Sequence, residues 1–286
     1  MNFIHRLTYH PAIIHAARTL RLRRLLRSWY YRWAGPADGI LRVAVGGIDA
    51  EFSLRTREPE ELRGMESETL KERHILELLV SALHPGDIVY DVGAGVGLYT
   101  VLLAKAVGSR GQVIAFEPEK QSYVRLLDNV ELNALTNVRC IRKALGAEPG
   151  EGKLFVIKGV TAPSLLPPPE SGRGCQVTCE TVEVEKGDRL VTEEKLPLPR
   201  VVKVDVEGYE YPVIQGLSQT LAQPECELVC CEIHPNLMPP GATPEDLMAA
   251  LKLLGFSVID SYPCRGGRVE YHVVCRKVFA SAGREI

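Results

Sequence analysis

The stretch Ile88-Val89-Tyr90-Asp91-Val92-Gly93-Ala94-Gly95-Val96-Gly97-Leu98 decides the fold. Its first five residues are rich in β-branched and aromatic side chains and read as a buried strand. Its three glycines make a turn in which a ligand can reach the backbone without meeting a Cβ. Leu98 then opens an apolar helix whose N-terminus faces that turn. Strand, glycine turn and helix are the first unit of a doubly wound sheet. The dinucleotide version, G-x-G-x-x-G/A, needs a third small residue where helix packs on strand. Here that position is Leu98, and the spacing is G-x-G-x-G with Asp91 two residues ahead of the first glycine.

Outward from this turn the apolar pattern alternates. Strands are predicted over 87–92, 112–116, 138–142, 200–206, 227–233, 256–262 and 269–277. Helices are predicted over 66–83, 97–107, 119–133, 210–221 and 243–254. Such alternation implies an α/β fold, a mostly parallel sheet with helices on both faces. Only the short turn 263–268, with Arg265-Gly266-Gly267, separates the last two strands, so they must run antiparallel. Between the third and fourth strands, residues 150–190 hold Pro167-Pro168-Pro169 and Ser171-Gly172-Arg173-Gly174, which predict a mobile loop flanked by short strands. Upstream, 40–45 and 49–55 read as a hairpin around Gly46-Gly47. The chain thus divides into an extension, 1–65, and one larger domain, 66–286.

The chain has 286 residues, 45% hydrophobic and 24% charged, which excludes a disordered, collagen-like or disulfide-scaffold protein. Its net charge of −2 excludes a uniformly basic nucleic-acid binder. The charge is uneven. Residues 1–37 carry seven Arg and no acid, leaving −9 on the remainder. Within that head, 11–33 reads as an amphipathic helix, with Leu22, Leu25, Leu26, Trp29, Tyr30 and Trp33 on one face. Three readings stand. The helix docks on the body with its Arg side solvated, residues 1–34 lie on an anionic membrane surface, or the Arg side contacts RNA or DNA.

Eight cysteines occur, mostly inside apolar strand-like runs, with no C-x-x-C pair. Cys175-x-x-x-Cys179 is a weak candidate for a ligand pair or disulfide. A reducing cytoplasm is the expected compartment. There is no spanning apolar run and no secretory signal pattern.

The second strand ends in Ala115-Phe116-Glu117-Pro118. A carboxylate at this strand tip can accept both hydroxyls of a ribose. With the glycine spacing, it resembles motif I and its acidic partner in class I S-adenosylmethionine (SAM) methyltransferases. The likeness narrows with Gly86-Asp87-Ile88-Val89-Tyr90-Asp91-Val92-Gly93-Ala94, Asn129…Leu132-Asn133…Asn137-Val138 and Val202-Lys203-Val204-Asp205-Val206-Glu207-Gly208-Tyr209-Glu210. Together these resemble the FkbM family of SAM-dependent methyltransferases, over about residues 84–262. Where that family usually has G-A-N-I-G, this chain has Gly93-Ala94-Gly95-Val96-Gly97.

The resemblance implies a Rossmann-like class I methyltransferase fold, with seven strands and an antiparallel last one. It implies SAM as methyl donor, held by Asp91, Gly93, Ala94, Gly95, Gly97, Glu117 and Pro118, with Ala144 and Leu145 bordering the adenine. It implies a hydroxyl acceptor on a sugar, glycolipid or other natural product, and no nucleic-acid partner.

A hydroxyl is almost un-ionised at neutral pH, so a base or a metal ion should assist its oxygen. Candidates sit at the ends of the central strands: Asp205 and Glu207 at the fourth, with Glu210 just inside the following helix, and Glu232 and His234 at the fifth. The imidazole suits a general base by its ordinary pKa. A divalent cation on Asp205, Glu232 and His234 is the alternative to a protein base. Ser164-Leu165-Leu166, within 159–175, is placed to act as a lid. Two competing functions remain. An NAD-dependent oxidoreductase or epimerase is disfavoured by Leu98 and by the lack of a Tyr-x-x-x-Lys pair. A non-catalytic SAM-binding relative is disfavoured by the acids at 205, 207 and 232.

Overall fold

A computed structural model describes residues 36, 38–54, 59–157, 163–167, 177–264 and 269–278. The helix predicted over 11–33, the membrane contact assigned to 1–34 and Cys175 lie outside these residues.

In chain order the elements are β1 (Ile40–Val45), β2 (Ile48–Ser53), α1 (Pro59–Ala82), β3 (Ile88–Val92), α2 (Leu98–Val107), β4 (Gln112–Phe116), α3 (Lys120–Leu132), β5 (Val138–Ile141), β6 (Ala144–Gly146), β7 (Gly150–Ile157) and β8 (Val177–Lys186). There follow α4 (Gly187–Glu193), β9 (Val201–Val204), α5 (Glu210–Gly216), α6 (Ser218–Ala222), β10 (Leu228–Ile233), α7 (Pro244–Leu253), β11 (Phe256–Pro263) and β12 (Tyr271–Lys277).

Seven strands form the main sheet in the order β11-β12-β10-β9-β3-β4-β5. Strands β3, β4, β5, β9 and β10 pair in parallel, whereas β12 is antiparallel to both β10 and β11. This is the doubly wound sheet with an antiparallel last strand that the sequence predicts. Strand order reverses between β3 and β9, so the crevice at their carboxyl ends is where a ligand belongs.

The two-residue period of the strands splits the core into two faces. Val89, Val201, Leu228, Cys230 and Val274 pack with α1, α2 and the β1–β2 hairpin. Tyr90, Val92, Val202, Val204, Val229, Cys231, Val273 and Cys275 face the other way, against α4 to α7. The hairpin shares the first core through Val43, Val45, Ala50, Phe52 and Leu54. Its edge is also satisfied by side chains: Glu51 and Ser53 donate their backbone N–H groups to the amide oxygens of Asn133 and Asn129. The asparagines that stood out in the sequence thus tie the extension to α3.

Three expectations change. The first helix begins at Pro59 rather than 66, and a proline is tolerated in a helix's first turn. Much of the loop predicted within 150–190 (158–162 and 168–176) lies outside the described residues, but the strands flanking it are longer than predicted. Strands β7 and β8, of eight and ten residues, pair antiparallel and build a second sheet in the order β6-β8-β7. The glycines of β7 and the charged residues of both strands mask the pattern, because only Leu154, Val182 and Val184 turn to a small core with Ala144. The helix predicted over 210–221 is two, α5 and α6. Gly216 lies where a Cβ would come within 1.9 Å of the Gly146 carbonyl oxygen, so the helix is pressed against β6 at that point.

Among the described residues no helix is long and apolar enough to cross a membrane, and no disulfide forms.

Candidate active site

The glycine turn follows β3. Gly93 has φ +82°, and a Cβ there would lie 1.8 Å from the Asp205 carbonyl oxygen. Two strand ends therefore touch at this point, and only glycine allows it. Gly95, at φ +55°, would place a Cβ in open space with nothing within 4 Å. The turn is closed against the protein at Gly93 and open toward the crevice at Gly95. Ala94 is buried, and Gly97 opens α2 in a left-handed conformation.

Glu117 caps β4 beside this turn. Its carboxylate accepts the Gly95 N–H at 2.7 Å and the Glu119 N–H at 2.8 Å. Burial pushes its pKa up to about 7, against the pull of these two amides. Pro118 is half-buried at its side. Asp91 sits deeper, fully buried, and accepts from the Thr100 hydroxyl at 2.6 Å. Ala144 and Leu145 are buried in β6, where Ala144 packs with β7 and β8 and Leu145 with the main core.

The alternation of strands brings the second group together. Asp91, Lys203, Glu232 and His272 fall on the face shared with α1 and α2. Lys203 is buried, with its Nζ 3.2 Å from Asp205 Oδ2, 3.7 Å from Asp91 Oδ1 and 4.4 Å from the centre of the Tyr99 ring. Burial alone would lower its pKa, but Asp205, Asp91 and Glu232 hold it firmly protonated. In return, Lys203, His234 and His272 overcome the burial of Asp205 and keep its carboxyl below the usual range.

Glu207 has φ +51°, uncommon for a residue with a Cβ, and Gly208 beside it has φ +98°. The strained pair turns the chain so that Glu207 meets His234, with Oε2 3.5 Å from Nε2. The Glu207 carbonyl accepts from Ser164 Oγ at 2.8 Å, which docks 163–167, the described part of the predicted lid, beside the site. Burial raises the pKa values of Glu207 and Glu232 to about 7 each.

His234 is buried between carboxylates. Its Nδ1 lies 2.8 Å from Glu210 Oε1, and its Nε2 is 3.8 Å from Glu232 Oε1. Burial disfavours its charge, yet Glu210, Asp205 and Glu207 raise its pKa to about 10. This corrects the expectation of a near-neutral base. The acids around it hold the ring as an imidazolium, a donor that balances charge.

The sequence reading missed His272, Glu72, Tyr99 and Cys264. His272 stands directly opposite Glu232 in the β10–β12 register, and its Nε2 lies 3.0 Å from Glu72 Oε2. Tyr99 donates to the same Glu72 oxygen at 2.8 Å. An antiparallel last strand was legible, but the register that sets 272 against 232 was not. Asp205, Glu232 and His234 do come together, one donor atom of each lying within 4.8 Å of the others.

Residues 91–258 match the family model described as the methyltransferase FkbM domain, and the chain belongs to that family. It is a methyltransferase. Among curated proteins it is similar to the hexuronic acid methyltransferase AglP of Haloferax volcanii, 28% identical over 226 residues, covering 76% of this chain and 84% of that one. Among solved structures it is similar to a methyltransferase FkbM from Methylobacillus flagellatus KT (TM-score 0.48, 12% identity), over 67% of this chain but only 44% of that one. It is also similar to magnesium protoporphyrin IX methyltransferase from Synechocystis PCC 6803 with bound SAM (TM-score 0.48, 14% identity), over 77% and 84% of the two chains.

Proposed function

We propose that this protein transfers the methyl group of SAM to a hydroxyl oxygen of a sugar or of a glycan- or lipid-linked natural product. The observation that carries the reading is the division of one crevice. The open glycine turn and Glu117 line one side of the strand-order reversal, and Asp205, Glu207 and His234 line the other. AglP, whose name gives hexuronic acid as its substrate, supports the sugar acceptor.

The residues present fit the donor. The space at Gly95 admits a ligand against backbone. The Glu117 carboxylate offers acceptor oxygens to a ribose once it leaves the Gly95 amide. SAM, when bound, supplies a methyl already activated on a sulfonium, so the protein's task is alignment. The base is assigned to the Asp205–Glu207 pair, which takes the hydroxyl proton as the oxygen attacks. Lys203 holds Asp205 in place, and the His234 imidazolium orients Glu207 and offsets the excess of carboxylates.

The test pairs calorimetry of SAM with transfer of labelled methyl to a panel of hexuronic acid glycosides. The expected product is a methyl ether. Asp205→Asn and Glu207→Gln should each lower kcat about 100-fold or more, the usual worth of a positioned base, while leaving SAM affinity within about twofold. Label on nitrogen or carbon, or SAM binding without transfer to any hydroxyl, would overturn the reading.

A further inference from the structure

Beyond the methyl-transfer residues, a second set of donors converges at the ends of three neighbouring strands. Glu232 is the last residue but one of β10, His272 faces it from β12, and Cys264 follows the last residue of β11. Cys264 Sγ lies 3.1 Å from Glu232 Oε1, and His272 Nε2 lies 3.8 Å from Glu232 Oε2. One donor atom of each residue lies within 4.8 Å of the other two. The ladder fixes these positions: Tyr262 pairs with His272, and the Cys264 N–H donates to the Glu270 carbonyl at 3.0 Å.

We propose that Glu232, Cys264 and His272 form a binding site for a zinc-class divalent cation, one that does not depend on methyl transfer. Three lines of physical chemistry converge on it. Donor atoms around a tetrahedral Zn²⁺ stand about 3.3–3.8 Å apart, given metal–ligand bonds near 2.0–2.3 Å, so small side-chain rotations close the site. A thiolate with an imidazole selects a borderline-soft ion over Mg²⁺ or Ca²⁺. His272 Nε2 also lies 3.0 Å from Glu72 Oε2, whose carboxylate the Tyr99 hydroxyl holds, so a metal on Nε2 would take the place of that contact and leave Glu72 beside the ion. The local charge also calls for a cation. Glu72, Asp205, Glu207, Glu210 and Glu232 face Lys203, His234 and His272, an excess of acids in a partly buried crevice. Binding would displace the thiol proton and any imidazolium proton into solvent as the metal–ligand bonds form. The site shares Glu232 with the oxygen- and nitrogen-only trio of Asp205, Glu232 and His234, from which the thiol distinguishes it.

The test uses the full chain stripped with a chelator and titrated with Co²⁺, then with Zn²⁺ in competition. The expected result is a thiolate-to-cobalt charge-transfer band that saturates at a single equivalent and that Zn²⁺ abolishes. Cys264→Ser should lose the band, and Cys179→Ser, at an exposed thiol away from the site, should keep it. If Cys264→Ser fails to fold, Zn²⁺ must instead shield Cys264 from alkylation in the unaltered protein. Absence of the band, its survival in folded Cys264→Ser, or a weak spectrum lacking thiolate character would each overturn the site. These readouts involve neither SAM nor a methyl acceptor, so their failure leaves the proposed function standing.

Discussion

The Glu117 carboxylate accepts a hydrogen bond from the Gly95 N–H, 2.7 Å from nitrogen to oxygen, at the turn proposed to hold SAM. The acid is buried, and its pKa rises to about 7. To accept ribose hydroxyls it must be ionised, so SAM affinity should strengthen as pH rises from 6 to 8. The slope below pH 7 approaches about tenfold per pH unit, the limit for one linked proton. Glu117→Gln should weaken SAM binding and flatten that pH dependence, both read by calorimetry. The same raised pKa has a consequence for folding. The protonated form stabilises the ligand-free protein fully below the unfolded value of 4.5, and that contribution fades as pH rises through about 7. Thermal unfolding of the ligand-free protein should show Glu117→Gln losing less stability than the parent across this window.

The glycine turn separates fold from binding. Gly93→Ala forces a Cβ onto the Asp205 carbonyl and should destabilise the protein or prevent its folding. Gly95→Ala meets no atom and carries only the smaller cost of a left-handed φ, about 1–2 kcal/mol. Gly95→Trp fills the open space and should abolish SAM binding in a protein that still folds. Denaturant unfolding and calorimetry, run on the same three variants, check the division. An equal loss of stability at both glycines would refute it.

Lys203 is a buried cation serving two carboxylates. Removing it as Lys203→Met leaves Asp91 and Asp205 without their shared counter-charge, and breaking a buried pair this way costs about 3–5 kcal/mol. The double variant Asp91→Asn with Lys203→Met should recover part of that loss, because one stranded charge goes with its partner. Urea unfolding of the single and double variants measures the coupling.

The fold was legible wherever one strand carried a continuous apolar run between turn residues. Ile88–Val92, Gln112–Phe116 and Leu228–Ile233 lie where the pattern places them, because parallel strands are buried on both faces. Strands β7 and β8 were read only as short strands flanking a loop, because one face is solvated and Gly150 and Gly152 interrupt β7. For the site, Asp205, Glu207, Glu232 and His234 could be singled out because strand ends at a reversal of order are where ligands gather. His272, Cys264 and Glu72 come from β12, the end of β11 and α1, and only pairing register and helix packing place them beside Glu232. Local pattern carries no record of either. The charge on His234 was hidden for a related reason, since Glu210 reaches it from the start of α5, 24 positions away.

The seven arginines of residues 1–37 lie outside the described residues. From their sequence pattern, with Trp29, Tyr30 and Trp33 on an apolar face of a predicted helix, contact with an anionic lipid surface is the expectation. The full chain should co-sediment with vesicles containing anionic lipid and lose binding as salt rises, since the attraction is screened within about 10 Å at 0.1 M ionic strength. A chain beginning at residue 35 should stay in solution while retaining its affinity for SAM. Arg-to-Gln changes at 21, 24 and 27 should weaken sedimentation stepwise, by about 1 kcal/mol for each charge near the surface. Equal sedimentation of the full and shortened chains would exclude the head as the membrane contact.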